Sequence, residues 1–166
     1  MIKKIEHIGI AVNDLEAATK TYETLFKASP YKTETVEREG VKTVFFECGE
    51  SKIELLGATR DDSPIGKYLS KQREGIHHIA FFVDDLAAEM SRLQQEGFQL
   101  LSETPKPGAD DKSIVFLHPK GNHGVLIELC EDRAWFNSRI ILAGSKLILI
   151  FALLNNNQPW SHSSAG

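Results

Sequence analysis

Two stretches of this chain match each other in order and spacing. His7-Ile8-Gly9-Ile10-Ala11-Val12-Asn13-Asp14-Leu15 is echoed 71 residues later by His78-Ile79-Ala80-Phe81-Phe82-Val83-Asp84-Asp85-Leu86. Further along each half, Ile53-Glu54-Leu55 is echoed by Ile127-Glu128-Leu129, 74 residues on. Two matches in the same order at nearly one spacing mark a duplicated unit of about seventy residues. A chain of 166 residues accommodates two such units sharing a core, with a C-terminal stretch left over.

Each unit opens on an alternating strand. Ile8, Ile10 and Val12 point one way and His7, Gly9 and Ala11 the other; Ile79, Phe81 and Val83 oppose His78, Ala80 and Phe82 in the same register. A helix follows each strand, with Asp14 and Asp85 as N-caps. Leu15, Ala18, Tyr22, Leu25 and Phe26 fall at helical spacing, as do Leu86, Met90 and Leu93 before a Gly97 C-cap. The apolar strand face is expected to pack on its helix, and the histidine-bearing face to look into a cavity. Turn signals then separate strand candidates at 32–38, 41–47 and 52–56 in the first unit, and at 98–103, 113–118 and 124–130 in the second. Each unit reads β-α-β-β-β. Between them, Ser63-Pro64-Ile65-Gly66-Lys67-Tyr68-Leu69 reads as a short capped helix with Pro64 at its first position.

Composition excludes several classes. Apolar residues at 42% and charged residues at 25% are those of a globular chain rather than a disordered or collagen-like one. A net charge of −4 offers no basic field to nucleic acid or an anionic membrane. Ile140 to Leu154, the longest apolar stretch, is interrupted by Gly144-Ser145-Lys146 and falls short of the roughly 20 residues of a spanning helix. Cys48 and Cys130 are too few for a disulfide framework, and Met1-Ile2-Lys3-Lys4 leads straight into a strand; the expected location is a reducing cytoplasm.

The chemistry gathers on four residues. His7 and His78 open the units, and Glu54 and Glu128 lie on their last strands among Ile53, Leu55, Leu56, Leu126, Ile127 and Leu129. A carboxylate buried in such company is costly without a cation or several donors. A lone strand histidine is ordinarily structural, and a lone strand glutamate ordinarily faces solvent. The duplication selects the same two residue types twice, which favours a shared divalent metal bound by two neutral imidazoles and two carboxylates, a donor set suited to Co, Ni, Mn, Fe or Zn. Register also separates the adjacent histidines: His77 is expected on the helix-packing face in a structural role. His118, His123 and His162 carry weaker signals, and Lys120 is either an anion-attracting group or a solvated turn residue. No phosphate-binding glycine loop, zinc cysteine pair or serine nucleophile elbow is present.

Paired β-α-β-β-β units with such ligands resemble the vicinal oxygen chelate superfamily, which includes glyoxalase I, fosfomycin-resistance proteins and extradiol dioxygenases. The resemblance is greatest to the methylmalonyl-CoA epimerase family. It covers roughly residues 3–131, through His7-Ile8-Gly9-Ile10-Ala11-Val12, Lys52-Ile53-Glu54-Leu55-Leu56, Asp62-Ser63-Pro64-Ile65-Gly66, Gly75-Ile76-His77-His78-Ile79-Ala80, Phe116-Leu117-His118-Pro119-Lys120 and Gly124-Val125-Leu126-Ile127-Glu128-Leu129. It implies an α+β fold, an eight-stranded, incompletely closed barrel of two modules (about 3–57 and 76–131, with a linker at 58–75) making one domain over 1–131. It also implies a metal at His7, Glu54, His78 and Glu128, often Co2+ with Mn2+, Ni2+ or Zn2+ as other choices, an acyl-CoA substrate and a homodimer. Some members carry glutamine at the Glu54 position, which makes this site one charge more negative.

The implied reaction moves the C2 proton of methylmalonyl-CoA from one face to the other, so two acid-base groups should flank that carbon. Glu128 is the first candidate. Some members carry a second glutamate on the third strand of the first unit, where this chain has Thr43; Glu47, four residues along on the same face, is the substitute candidate, and water is another. Glyoxalase I chemistry at the same ligands and a non-catalytic ligand- or metal-binding module are the competing readings. Residues 132–166 lie outside the resemblance. Trp135, Phe136 and the run from Ile140 to Leu154 either cover a sheet edge or dimer contact, or belong to an unselected terminus.

Overall fold

The computed structural model describes residues 1–134. Trp135, Phe136, the apolar run from Ile140 and His162 lie outside the described residues, and so does what was expected of them. Among the described residues the first unit runs β1 (Ile2–Val12), α1 (Leu15–Phe26), β2 (Lys32–Val36), β3 (Val41–Cys48) and β4 (Ser51–Ala58). A short helix, α2 (Pro64–Leu69), connects it to β5 (Gly75–Val83), α3 (Leu86–Gln95), β6 (Lys106–Pro107), β7 (Lys112–Leu117) and β8 (Ile127–Asp132). None of these helices is long and apolar enough to cross a membrane.

The strands form one eight-stranded sheet in the order β2-β3-β4-β1-β5-β8-β7-β6. Each unit contributes four adjacent strands, its first and last lying parallel: β1 on β4, β5 on β8. The halves join where β1 and β5 pair antiparallel. The end strands β2 and β6 do not pair, so the curled sheet stays an open barrel of the α+β class. Its central seam carries both histidines.

Local chemistry explains the elements. Asp14 Oδ1 accepts from the Ala17 N–H and Asp85 Oδ1 from the Ala88 N–H, both at 2.9 Å, so each first strand is stopped by the residue that starts the helix. Gly97 adopts φ +87°, and the Phe98 N–H returns to the Leu93 carbonyl at 2.9 Å, closing α3 as a glycine C-cap does. Leu15, Ala18, Tyr22 and Phe26 of α1 cover Ile10, Val44, Phe46, Ile53 and Leu55, while Leu86, Met90 and Leu93 of α3 cover Val83, Val115, Leu117 and Leu129. Leu25, expected in the helix stripe, is instead 68% exposed. Because strand side chains alternate, Ile53 and Leu55 under α1 force Glu54 to the opposite, concave face; Ile127 and Leu129 do the same for Glu128.

One strand is displaced from expectation. Residues 98–103 form no strand and touch β7 through the Leu100–Leu117 bridge, with the Leu101 N–H on the Phe116 carbonyl at 2.8 Å. The edge strand is Lys106–Pro107, between the expected strands 98–103 and 113–118. Proline suits a sheet edge, where its missing N–H faces no partner strand.

Candidate metal centre

His7, Glu54, His78 and Glu128 converge on the concave face. All four are buried, and they come from β1, β4, β5 and β8, the four central strands. His7 Nε2 lies 2.9 Å from His78 Nε2 and 3.3 Å from Glu54 Oε2. His78 Nε2 lies 3.6 Å from Glu54 Oε2. Glu128 approaches from the far side, 3.9 Å from His7 Nε2 and 3.8 Å from His78 Nε2. One ligand atom each from His7, Glu54 and His78 falls within a mutual 4.8 Å, a spacing one divalent ion can bridge. Gly9 sits opposite His78 in the β1–β5 pairing, and its lack of a side chain makes room for that ring, since a Cβ there would collide with the imidazole.

Electrostatics sets these groups apart. Burial pushes the Glu128 carboxyl up to about 8, with Glu54 and Glu6 adding to the rise and His7 opposing it. Burial also acts against a charge on His7, but Glu54, Glu6 and Glu128 outweigh it and hold that imidazole well above its usual range. His78, buried beside His7 and His77, is driven well below the usual value and stays neutral. Two buried carboxyls facing the Nε2 atoms of two imidazoles are a donor set that a divalent ion completes by displacing the protons of Glu128 and His7.

The centre lines a cavity of about 300 Å³ bounded by Thr43, Leu56, Ile65, Ile114 and Phe116 with Glu54, His78 and Glu128. Ser63, buried and accepting from the Gly66 N–H at 3.0 Å, starts α2 so that Pro64 and Ile65 form part of this wall. Behind the centre lies a second space of about 30 Å³, bordered by Glu6, His7, Phe45, Asp110 and Lys112.

Two expectations are corrected here. Glu47 keeps Thr43's side of β3 but sits exposed near the strand end, opposite Lys52, and borders neither cavity. Thr43 does line the large cavity, and its side chain carries no acid-base group. His77 does not face the helix layer. The register between β1 and β5 shifts between Gly9–His78 and Ile10–Ile76, leaving His77 as the extra residue of a bulge. A bulge breaks the two-residue alternation and turns His77 into the cavity, with its Nδ1 3.0 Å from His78 Nδ1.

A second bulge brought in a residue that alternation missed. Glu6 is the unpaired residue between the Ile5–Phe81 and His7–Ala80 pairs. It is 3% exposed, and Oε2 accepts from His7 Nδ1 at 2.5 Å while Oε1 meets Lys52 Nζ at 2.5 Å. Its sequence signal is its place directly before His7, the repeat position that His77 holds before His78. His118 caps a one-turn helix through the Lys120 N–H at 3.1 Å, and His123 and Lys120 are exposed; none lines the cavity.

Comparison with known proteins places this architecture. A family model described as the glyoxalase/bleomycin resistance protein/dioxygenase superfamily matches residues 6–116. The mitochondrial methylmalonyl-CoA epimerase of Dictyostelium discoideum is 40% identical over 131 residues, covering 78% of this chain and 79% of that protein. The ethylmalonyl-CoA/methylmalonyl-CoA epimerase of Cereibacter sphaeroides is 40% identical, covering 78% of this chain and 98% of that protein. A solved structure of a Streptomyces coelicolor methylmalonyl-CoA epimerase variant, in complex with 2-nitronate-propionyl-CoA, superposes with a TM-score of 0.76 at 37% identity, covering 81% of this chain and 97% of that one. The chain therefore belongs to the glyoxalase/bleomycin resistance/dioxygenase superfamily, and within it to the family of the methylmalonyl-CoA epimerases.

Proposed function

We propose that this isomerase epimerises methylmalonyl-CoA at C2, with a divalent cation held by His7, Glu54, His78 and Glu128. The observation that carries the reading is the meeting of two imidazoles and two buried carboxylates, one of each from either half of the chain, with Glu54, His78 and Glu128 at the wall of a cavity whose lining is otherwise largely apolar and His7 beside them on the adjoining small space. The relatives from Dictyostelium discoideum and Cereibacter sphaeroides are epimerases of substituted malonyl-CoA.

The C2 hydrogen lies between a thioester carbonyl and a carboxylate, and its removal places negative charge on the thioester oxygen. When bound, the cation supplies Lewis-acid stabilisation of that charge, worth several kcal/mol in a water-poor site. The chain's own residues do the rest. Glu128, with two carboxylate oxygens at the cavity wall, takes the C2 proton from one face. Leu56, Ile65, Ile114 and Phe116 supply the apolar wall against which C2 would sit. With Thr43 at the wall and Glu47 exposed, the proton returned to the other face comes from a water molecule, and the hydroxide left behind recovers the proton held by Glu128.

Co2+ is the ion proposed, in a homodimer whose catalytic unit spans residues 1–131. The two free cysteines, Cys48 exposed and Cys130 buried, suit a reducing cytoplasm. The test is hydrogen exchange. The Co2+-loaded protein in deuterated water is expected to wash deuterium into C2 of methylmalonyl-CoA, and Glu128→Gln to abolish this. Binding of methylmalonyl-CoA without exchange would leave a binding module, and turnover of a glutathione hemithioacetal instead would leave a glyoxalase.

A further inference from the structure

Glu6 and His77 immediately precede the two centre histidines, and they stand 71 residues apart, as His7 and His78 do. They therefore occupy one position of the repeat. In a regular strand that position points away from its neighbour, toward the helix layer. Here each is the extra residue of a bulge, one in β1 and one in β5, and both side chains turn to the concave face. Each then meets the Nδ1 of the following histidine: Glu6 Oε2 at 2.5 Å from His7, His77 Nδ1 at 3.0 Å from His78.

We infer that Glu6 and His77 are paired positioning residues, placed by two symmetry-related bulges to hold the Nδ1 sides of His7 and His78 so that both Nε2 atoms aim at the shared cation. The inference rests on the metal reading proposed above. A histidine that ligates through Nε2 presents its lone pair there and carries its proton on Nδ1. The Nδ1–H of His7 then donates to Glu6, and that of His78 donates to His77. An acceptor at that point fixes ring orientation and raises the ligand's basicity.

The two partners are not equivalent. Glu6 is charged and anchored by Lys52, whose Nζ also meets Asp110 Oδ2 at 2.6 Å, with Lys112 Nζ 3.6 Å from Glu6 Oε1. This chain of ions ties His7 to the loop before β7. Besides His78, His77 meets the Tyr68 ring edge-on at 4.9 Å between ring centres, and no charged group among the described residues is seen to anchor it. Removing Glu6 therefore costs His7 both orientation and an adjacent negative charge, whereas removing His77 costs His78 orientation alone.

The experiment titrates Zn2+ into the full chain against a chelating dye and follows melting of the same proteins in excess chelator. Glu6→Ala is expected to weaken Zn2+ binding 10- to 100-fold, and His77→Ala roughly tenfold, the range for loss of such outer partners. Glu6→Gln keeps an acceptor oxygen, and His77→Asn offers its Oδ1 in place of the ring Nδ1; both are expected to recover much of the affinity. An alanine variant that melts earlier in chelator but binds Zn2+ like wild type would overturn the role of that residue, leaving it a packing group. Acceptor-bearing variants that bind no better than the alanines would overturn the hydrogen-bond account. Wild-type protein that takes up no Zn2+ would instead overturn the metal reading, and this inference with it.

Discussion

Replacing Glu128 by glutamine is expected to make the metal-free protein more stable while removing its activity. Burial raises this carboxyl from 4.5 to about 8, so the folded chain keeps a proton there that the unfolded chain releases. For an acid shifted upward the folded state binds the extra proton, and stability falls as pH rises from about 4.5 to about 8. At about 1.4 kcal/mol per pH unit, the penalty reaches about 3 kcal/mol at pH 7 and levels off near 5 kcal/mol above pH 8. A neutral amide of the same shape carries no such penalty. Melting in chelator should therefore rise by roughly 6–12 °C at pH 7 for a domain of this size, more at pH 9, and hardly at all at pH 4.5. Divalent metal should reverse the order, since binding stabilises wild type in proportion to its affinity and the variant lacks a ligand. A variant that melts with wild type in chelator at pH 8, or a difference that does not change with pH, would refute the account of Glu128 as a strained buried acid.

Three further outcomes follow from the same geometry. Metal uptake at pH 7 should release at least one proton, because Glu128 and His7 must both lose theirs to ligate; Co2+ affinity should then climb through pH 8, and calorimetry in two buffers of different ionisation enthalpy that finds no proton release would contradict this. Gly9→Ala should drive a methyl into the His78 ring, cutting Co2+ affinity and activity at least tenfold while the circular dichroism spectrum stays native; unchanged metal affinity would mean the ring has room to spare. Ser63→Ala removes a buried cap from the helix that walls the cavity and should lower stability by about 1 kcal/mol, read as a melting decrease of roughly 2–4 °C, with a larger effect on KM than on kcat.

Much of the site is legible in the sequence because duplication acts as an internal control. The alternation of Ile53-Glu54-Leu55 and Ile127-Glu128-Leu129 places each acid opposite a helix-covered pair, and the same two residue types recur at matching positions. Caps and helix stripes were readable for a similar reason: Asp14, Asp85 and Ser63 act on N–H groups three residues away, which is local chemistry. The edge strand was not, since Lys106–Pro107 pairs with β7 only by virtue of where β7 lies.

The sequence by itself determined two helix-backed half-sheets, each aiming an imidazole and a carboxylate away from its helix, because periodicity and capping are properties of neighbouring residues. Only the tertiary structure decided which residues stand behind those imidazoles. The β1–β5 pairing, between strands some seventy residues apart, puts bulges at Glu6 and His77, and a bulge is a mismatch between two strands that neither strand contains alone. The same distance effect left Glu47 in solvent: alternation gave its side of the strand correctly, but how far the curled sheet encloses that side depends on every strand in it.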